Sequence, residues 1–90
     1  MTRTLPQLRD KIDALDNQLL TLLNQRAKLA LEVGDIKRAE GSTVFRPERE
    51  AQVIRTLQES NPGPIKADAI AHVWREVMSS CRALEARQRI

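Results

Sequence analysis

Ninety residues hold one domain with a modest core, and two aromatic residues with three glycines favour helix over sheet. The 15 basic and 12 acidic residues leave a net charge of only +3, too mixed for a nucleic-acid arm, so what matters is where the cations sit. A single cysteine, Cys81, excludes an intrachain disulfide and fits a reducing, cytoplasmic compartment; no apolar run reaches transmembrane length and no secretory leader is apparent.

The first predicted element is a long helix over residues 5 to 39. Thr4 and Gln7 have capping-box spacing, and Pro6 fits a first turn, where amide hydrogens lack helix partners anyway. Gly41 suits a left-handed cap at the other end. Apolar residues fall at Leu8, Ile12, Leu15, Leu19, Leu22, Leu29, Val33 and Ile36, in steps of four and three that form a seam for packing against other helices. One position in that seam is charged, because the step after Leu22 lands on Arg26. The stripe beside it runs Leu23, Ala30, Gly34 and closes on Lys37, while Arg9 sits next to Leu8. Gly34 costs the helix about 1 kcal/mol relative to Ala, which either close helix packing or room for a ligand beside the backbone would justify.

Such a helix spans roughly 52 Å at ~1.5 Å per residue. A compact chain of this size has a radius of gyration of only about 12 Å. The helix is too long for its own domain, and a second copy of the chain is the simplest cover for its far half. A homodimer with paired long helices is the expectation.

After a short connection from Gly41 to Phe45, Pro47 suits the first position of a second helix over residues 47 to 59. Glu48 and Glu50 fall in its first turn, where the helix dipole favours anions. Val53, Ile54 and Leu57 make its apolar face. Asn61-Pro62-Gly63-Pro64 is a strong break. A third helix follows over residues 67 to 87, with Ile70, Trp74, Val77, Cys81 and Leu84 as its stripe and Met78 on the flank. The predicted class is all-α, with a long, a short and a medium helix in one domain, residues 1 to 90.

Arg26 in the seam is either a register-setting polar residue, a side chain that snorkels to solvent, or a cation that meets a ligand carboxylate or buried acid. Taken singly, Lys37 is a helix-end cation, Arg49 and Glu50 are surface charges, Glu85 is a carboxylate flanking the third stripe, and His72 is solvated. One His and one Cys give no metal-ligand cluster and no Ser-His-Asp or Cys-His arrangement, and there is no glycine-rich phosphate loop. An enzyme built on this chain works without a metal, an activated nucleophile or a cofactor. Cations around a tight apolar pocket suit the unimolecular rearrangement of a polyanion, in which they fix the reactive conformer and meet charge that develops on a heteroatom.

Four segments carry a resemblance: L-R-D-K-I-D-A-L-D from Leu8 to Asp16, R-A-K-L-A-L-E-V-G-D-I-K from Arg26 to Lys37, R-P-E-R-E from Arg46 to Glu50, and C-R-A-L-E from Cys81 to Glu85. In order and spacing they resemble the all-helical chorismate mutase family. The likeness is greatest to the mutase domain that begins bacterial bifunctional chorismate mutase–prephenate dehydratases. The resemblance implies an intertwined homodimer with two shared active sites that convert chorismate to prephenate by a Claisen-type rearrangement on the route to phenylalanine and tyrosine. It implies that Arg26 binds a substrate carboxylate within its own subunit and that Arg9 reaches the other carboxylate from the partner subunit. Lys37 would contact a carboxylate and the ether oxygen, Glu50 would hold the ring hydroxyl with Arg49 beside it, and Glu85 would face Lys37 across the ether oxygen. Three positions depart from the enteric pattern of the family. Arg46 stands for an Asp near the ring hydroxyl, Cys81 for a Ser that touches a carboxylate, and Glu85 for a Gln that donates to the ether oxygen. A thiol donates more weakly than a hydroxyl, and Glu85 must hold a proton to donate at all. The end of the chain at Ile90 suggests a domain excised from a protein that continues into a prephenate dehydratase domain.

Two other readings fit the same residues. One is a relative that eliminates pyruvate from isochorismate in a similar pocket. The other is a non-catalytic helical dimerisation or regulatory module, whose cations are solvated or pair with Asp13, Asp16 and Glu32. A nucleic-acid binder is disfavoured, since the basic residues named here point inward and form no outer stripe.

Overall fold

The computed structural model describes residues 2–42 and 46–87, with side chains as far as Glu85. The connection through Thr43, Val44 and Phe45 and the end at Ile90 lie outside the described residues. Three helices make up the chain: α1 (Leu5–Glu40), α2 (Pro47–Ser60) and α3 (Ala67–Arg87). Among the described residues there is no strand, and no helix is long and apolar enough to cross a membrane.

Local chemistry sets the ends of α1. The Thr4 Oγ1 accepts from the Gln7 amide at 3.3 Å, and the Thr4 amide donates to Gln7 Oε1 at 2.9 Å. This reciprocal box satisfies donors that the first turn leaves orphaned. At the C-terminal end Gly41 turns to φ 75°, which a residue without Cβ adopts at no steric cost. Its amide donates to the Arg38 carbonyl at 3.1 Å, and that of Ser42 donates to the Lys37 carbonyl at 2.8 Å. The α2–α3 break is held by Asn61, whose Oδ1 accepts from the Gly63 amide and whose Nδ2 donates to the Ile65 carbonyl.

α3 is the central element. It packs on α1 and on α2, while α1 and α2 share no packing among the described residues. Ile54, Ala71 and Met78 form the core between α2 and α3, with Val53 and Trp74 against it. The buried face of α3 is rotated from the predicted stripe. Met78, expected on the flank, is 4% exposed, whereas Leu84, expected in the stripe, is 39% exposed. Two neighbours on different sides pull the buried face towards Ile70, Ala71, Met78, Cys81 and Glu85, a shift that apolar periodicity does not encode because Glu85 is part of it.

The molecule is elongated, 58 by 28 by 15 Å, with a radius of gyration of 16.6 Å. The seam expected to be buried stands open in the single chain: Ile12, Leu15, Leu19 and Leu22 are each at least half exposed. Among the described residues nothing folds back far enough to cover it.

Candidate active site

A cavity of about 390 Å³ opens where all three helices converge. α1 contributes Arg26, Ala30, Val33 and Lys37, whose steps of four, three and four put them on one helix face. The predicted seam and its neighbouring stripe thus merge into one wall, because the face a helix presents to a neighbour is wider than a single stripe. The first two turns of α2 and its preceding residue add Arg46, Arg49, Glu50 and Val53. α3 adds Met78, Cys81, Arg82 and Glu85. Six of the seven residues expected at the site therefore share one cavity: Arg26, Lys37, Arg49, Glu50, Cys81 and Glu85.

Arg9 is the exception. It is exposed on the open half of α1. The 17 helical steps from it to Arg26 place it about 26 Å away along the helix, beyond the reach of any side chain towards its own cavity.

Five cations line this cavity against two acids. Arg82 is ion-paired with Glu50, and Arg46 Nε donates to Glu48 Oε1 at 3.0 Å. Among the described residues the other three have no carboxylate partner. Arg26 Nη1 donates to the Cys81 sulfur at 3.4 Å, and Arg49 Nη1 donates to the neutral Gln52 Oε1 at 3.4 Å. Among the described residues Lys37 makes no ion pair, and none of the three pairs with Asp13, Asp16 or Glu32. Arg26 and Lys37 are half-buried, so water compensates their charge only in part.

Glu85 is a buried acid, 8% exposed. It rests on Gly34, where a Cβ would stand 3.2 Å from the Glu85 Cδ and 3.3 Å from Arg38 Nη1. The glycine therefore serves close packing, and what it lets in is the carboxyl group itself. Cys81 is 7% exposed, with its thiol beside the Arg26 guanidinium. Beside Arg46 the Glu48 carboxyl is held below its ordinary range, first by a hydrogen bond from its own backbone amide and then by Arg46. His72 is exposed, and among the described residues no group of His, Cys, Asp and Glu could hold a metal ion.

Arg82 is the site residue that sequence reasoning passed over. It stands inside the C-R-A-L-E segment between Cys81 and Glu85, and its only signal in the sequence is a charge amid a buried stripe.

An all-helical scaffold that sets three cations, none paired with a carboxylate among the described residues, around a small, partly apolar cleft suits a binding protein or enzyme for a small polyanion. The chain belongs to the chorismate mutase type II family, which it matches over residues 8–86. It is 43% identical to a bifunctional chorismate mutase/prephenate dehydratase of Stutzerimonas stutzeri over 96% of this chain and 25% of that protein. The enzyme of the same name from Neisseria gonorrhoeae is 42% identical over 94% of this chain and 24% of its own length. The chain spans about a quarter of the length of these curated relatives. Among solved structures, form II of the Thermus thermophilus chorismate mutase superposes with a TM-score of 0.87 at 31% identity, covering 90% of this chain and 92% of that one. Helicobacter pylori chorismate mutase, solved in complex with prephenate, gives 0.85 at 30% identity, covering 92% and 90%.

Proposed function

We propose that this chain converts chorismate to prephenate. The observation that carries the reading is the trio of cations, Arg26, Lys37 and Arg49, without carboxylate partners among the described residues and converging with buried Glu85 on one cavity in a member of this family. Chorismate brings two carboxylates, an ether oxygen and a ring hydroxyl. Arg26 would clamp one carboxylate, and Cys81 would steady the guanidinium from behind. Lys37 would meet a carboxylate and the ether oxygen, with protonated Glu85 opposite. Glu50 would accept from the ring hydroxyl, with Arg49 beside it. In the rearrangement the ether C–O bond breaks as a C–C bond forms, so atoms balance within one molecule and negative charge grows on the ether oxygen. Donors fixed in place before reaction lower that barrier.

The reading includes a homodimer in which Arg9 of the partner subunit completes each site. Its support is the open seam and the surface area. A compact protein of 10.2 kDa exposes roughly 5,300 Å², whereas this chain exposes 7490 Å². Covering the excess of roughly 2,200 Å² on each of two chains gives an interface in the range of obligate homodimers. The relatives' names and fourfold greater length support a parent protein that continues into a prephenate dehydratase domain. The free Cys81 thiol fits a cytoplasmic setting.

The test is the loss of chorismate absorbance with purified chain, accompanied by equimolar prephenate. Release of pyruvate from isochorismate, without chorismate turnover, would reassign the site to the lyase relative. A folded dimer that turns over neither substrate would make the chain a non-catalytic module.

A further inference from the structure

We propose that Arg82 is a positioning residue that holds the Glu50 carboxylate at the cavity wall, and so sets the affinity for the substrate's ring hydroxyl. The inference rests on the reading of this cavity as a chorismate site. Glu50 lies at the start of α2 and Arg82 towards the end of α3, 32 residues later, yet they form an ion pair through Arg82 Nη1 and Glu50 Oε2. Among the described residues α2 has no packing contact with α1, which carries Arg26 and Lys37. Packing therefore relates Glu50 to those cations by way of α3. The apolar core of Ile54, Ala71 and Met78 fixes the helices, and the ion pair fixes the carboxylate.

The pair also has a place between two spaces. Glu50 and Arg82 line the site cavity, and both line an open groove of about 600 Å³ on the other side of α2 and α3. They are the partition between the two. A glutamate there can turn its carboxylate to either side, and Arg82 decides which. With the side chains of Arg82 and Glu50 36% and 25% exposed, the two groups are screened less than a surface pair. One oxygen of Glu50 engaged by Arg82 leaves the other, with its own lone pairs, free to accept from a hydroxyl.

The ring hydroxyl takes no part in bond making, so a bond to it is as strong in the ground state as in the transition state. Its loss raises KM and leaves kcat in place. A tie that merely stabilised the fold would change the melting temperature without this split.

The experiment is a double-mutant cycle on the intact chain, with Arg82→Leu, Arg82→Lys, Glu50→Gln and the combined variants assayed for chorismate turnover. Arg82→Leu is expected to raise KM roughly tenfold with kcat within about twofold, the loss of one charge-assisted hydrogen bond. Arg82→Lys, which keeps the charge but not the fork, recovers most of that. In the Glu50→Gln background neither Arg82 substitution adds more than about twofold, as expected of coupled neighbours. Unchanged KM in Arg82→Leu, or effects that multiply in the double variant, overturn the proposal. If Arg82→Leu does not fold, Arg82→Lys carries the cycle: a modest KM rise that vanishes in Glu50→Gln supports the coupling, and one that persists overturns it. Each of these overturning results comes from a wild-type chain that is active, whereas an inactive wild-type chain overturns the functional reading and this inference together.

Discussion

α1 runs one apolar repeat along its whole length, and its two halves meet different surroundings. Every described residue from Thr2 to Gln25 is exposed, although Leu8, Ile12, Leu15, Leu19 and Leu22 have the spacing of a packing seam. From Arg26 to Arg38 the same repeat carries cations, Gly34 is buried, and α3 covers one side. Among the described residues the first half has apolar surface and no cover, whereas the second has α3 on one side and unmatched charge, although its own seam residues Leu29, Val33 and Ile36 stay more than half exposed. An amphipathic pattern states which face wants cover and says nothing about what provides it. Each half calls for something outside the chain: another copy for the seam, and an anion for the cations.

Charging the open half should have the largest effect. Leu15→Glu places a carboxylate in a seam that pairing would bury, and burying an unpaired charge costs several kcal/mol. Sedimentation should then report a particle of 10.2 kDa where the wild type gives about twice that mass, with turnover of chorismate lost. A monomer that keeps full activity would show that the two halves work independently and that no second copy completes the site.

Next in size is the loss of a cation from the covered half. Arg26→Ala should cost about 2–5 kcal/mol in transition-state binding, read as a fall in kcat/KM at unchanged dimer mass. Arg9→Ala should behave alike if Arg9 serves the partner's cavity. Mixing the two inactive variants then forms heterodimers with one intact and one doubly defective site, and random pairing restores about a quarter of wild-type sites. No recovery, with heterodimers shown to form, would confine each site to one chain.

Gly34→Ala probes the crossing of α1 and α3. Alanine gains about 1 kcal/mol of helix propensity, while its Cβ presses on the Glu85 carboxyl at 3.2 Å. The two effects nearly cancel in stability, so the melting temperature should hardly move, whereas displacement of Glu85 lowers kcat roughly three- to tenfold. A large drop in melting temperature with unchanged kcat would assign the glycine to packing alone.

Glu85→Gln should change the shape of a pH profile more than its height. A carboxyl group donates only while protonated, so wild-type activity falls on the alkaline side as the group ionises. The amide donates throughout and flattens that limb. The measurement is kcat and kcat/KM for both proteins over about pH 4.5 to 9. An identical alkaline limb in the two proteins would mean that the essential proton resides elsewhere.

The smallest effect belongs to Glu48, beside Arg46. Its carboxyl titrates below the ordinary range in the folded chain, so its contribution to stability is fully present above that range and is lost as pH falls through the folded value. Carboxyl titration by NMR should find this low midpoint. Arg46→Ala should raise it only part of the way, because the hydrogen bond from the backbone amide is the larger cause. A full return to the ordinary value would give Arg46 the leading part.

Much of the fold was legible in the sequence. The helices end within a residue of where Gly41 and Asn61-Pro62-Gly63-Pro64 put them, and α1 begins at the Thr4–Gln7 box. The cations of the covered half could also be picked out, because Arg26 and Lys37 interrupt an apolar repeat. Arg82 could not, since one more arginine on a helix rich in charge carries no mark until its partner is known.

By itself the sequence determined the three helices, their caps, the breaks between them and the excess length of α1, since capping, propensity and periodicity act over a few residues of chain. Only the tertiary structure decided that Arg26 meets Cys81 across 55 residues, that Glu50 meets Arg82 across 32, that Gly34 admits the Glu85 carboxyl, and that the buried face of α3 turns from Leu84 towards Met78. Those pairings follow from how α3 crosses two other helices at once. A crossing is fixed by the packing of whole faces against each other, and no local stretch of sequence contains it.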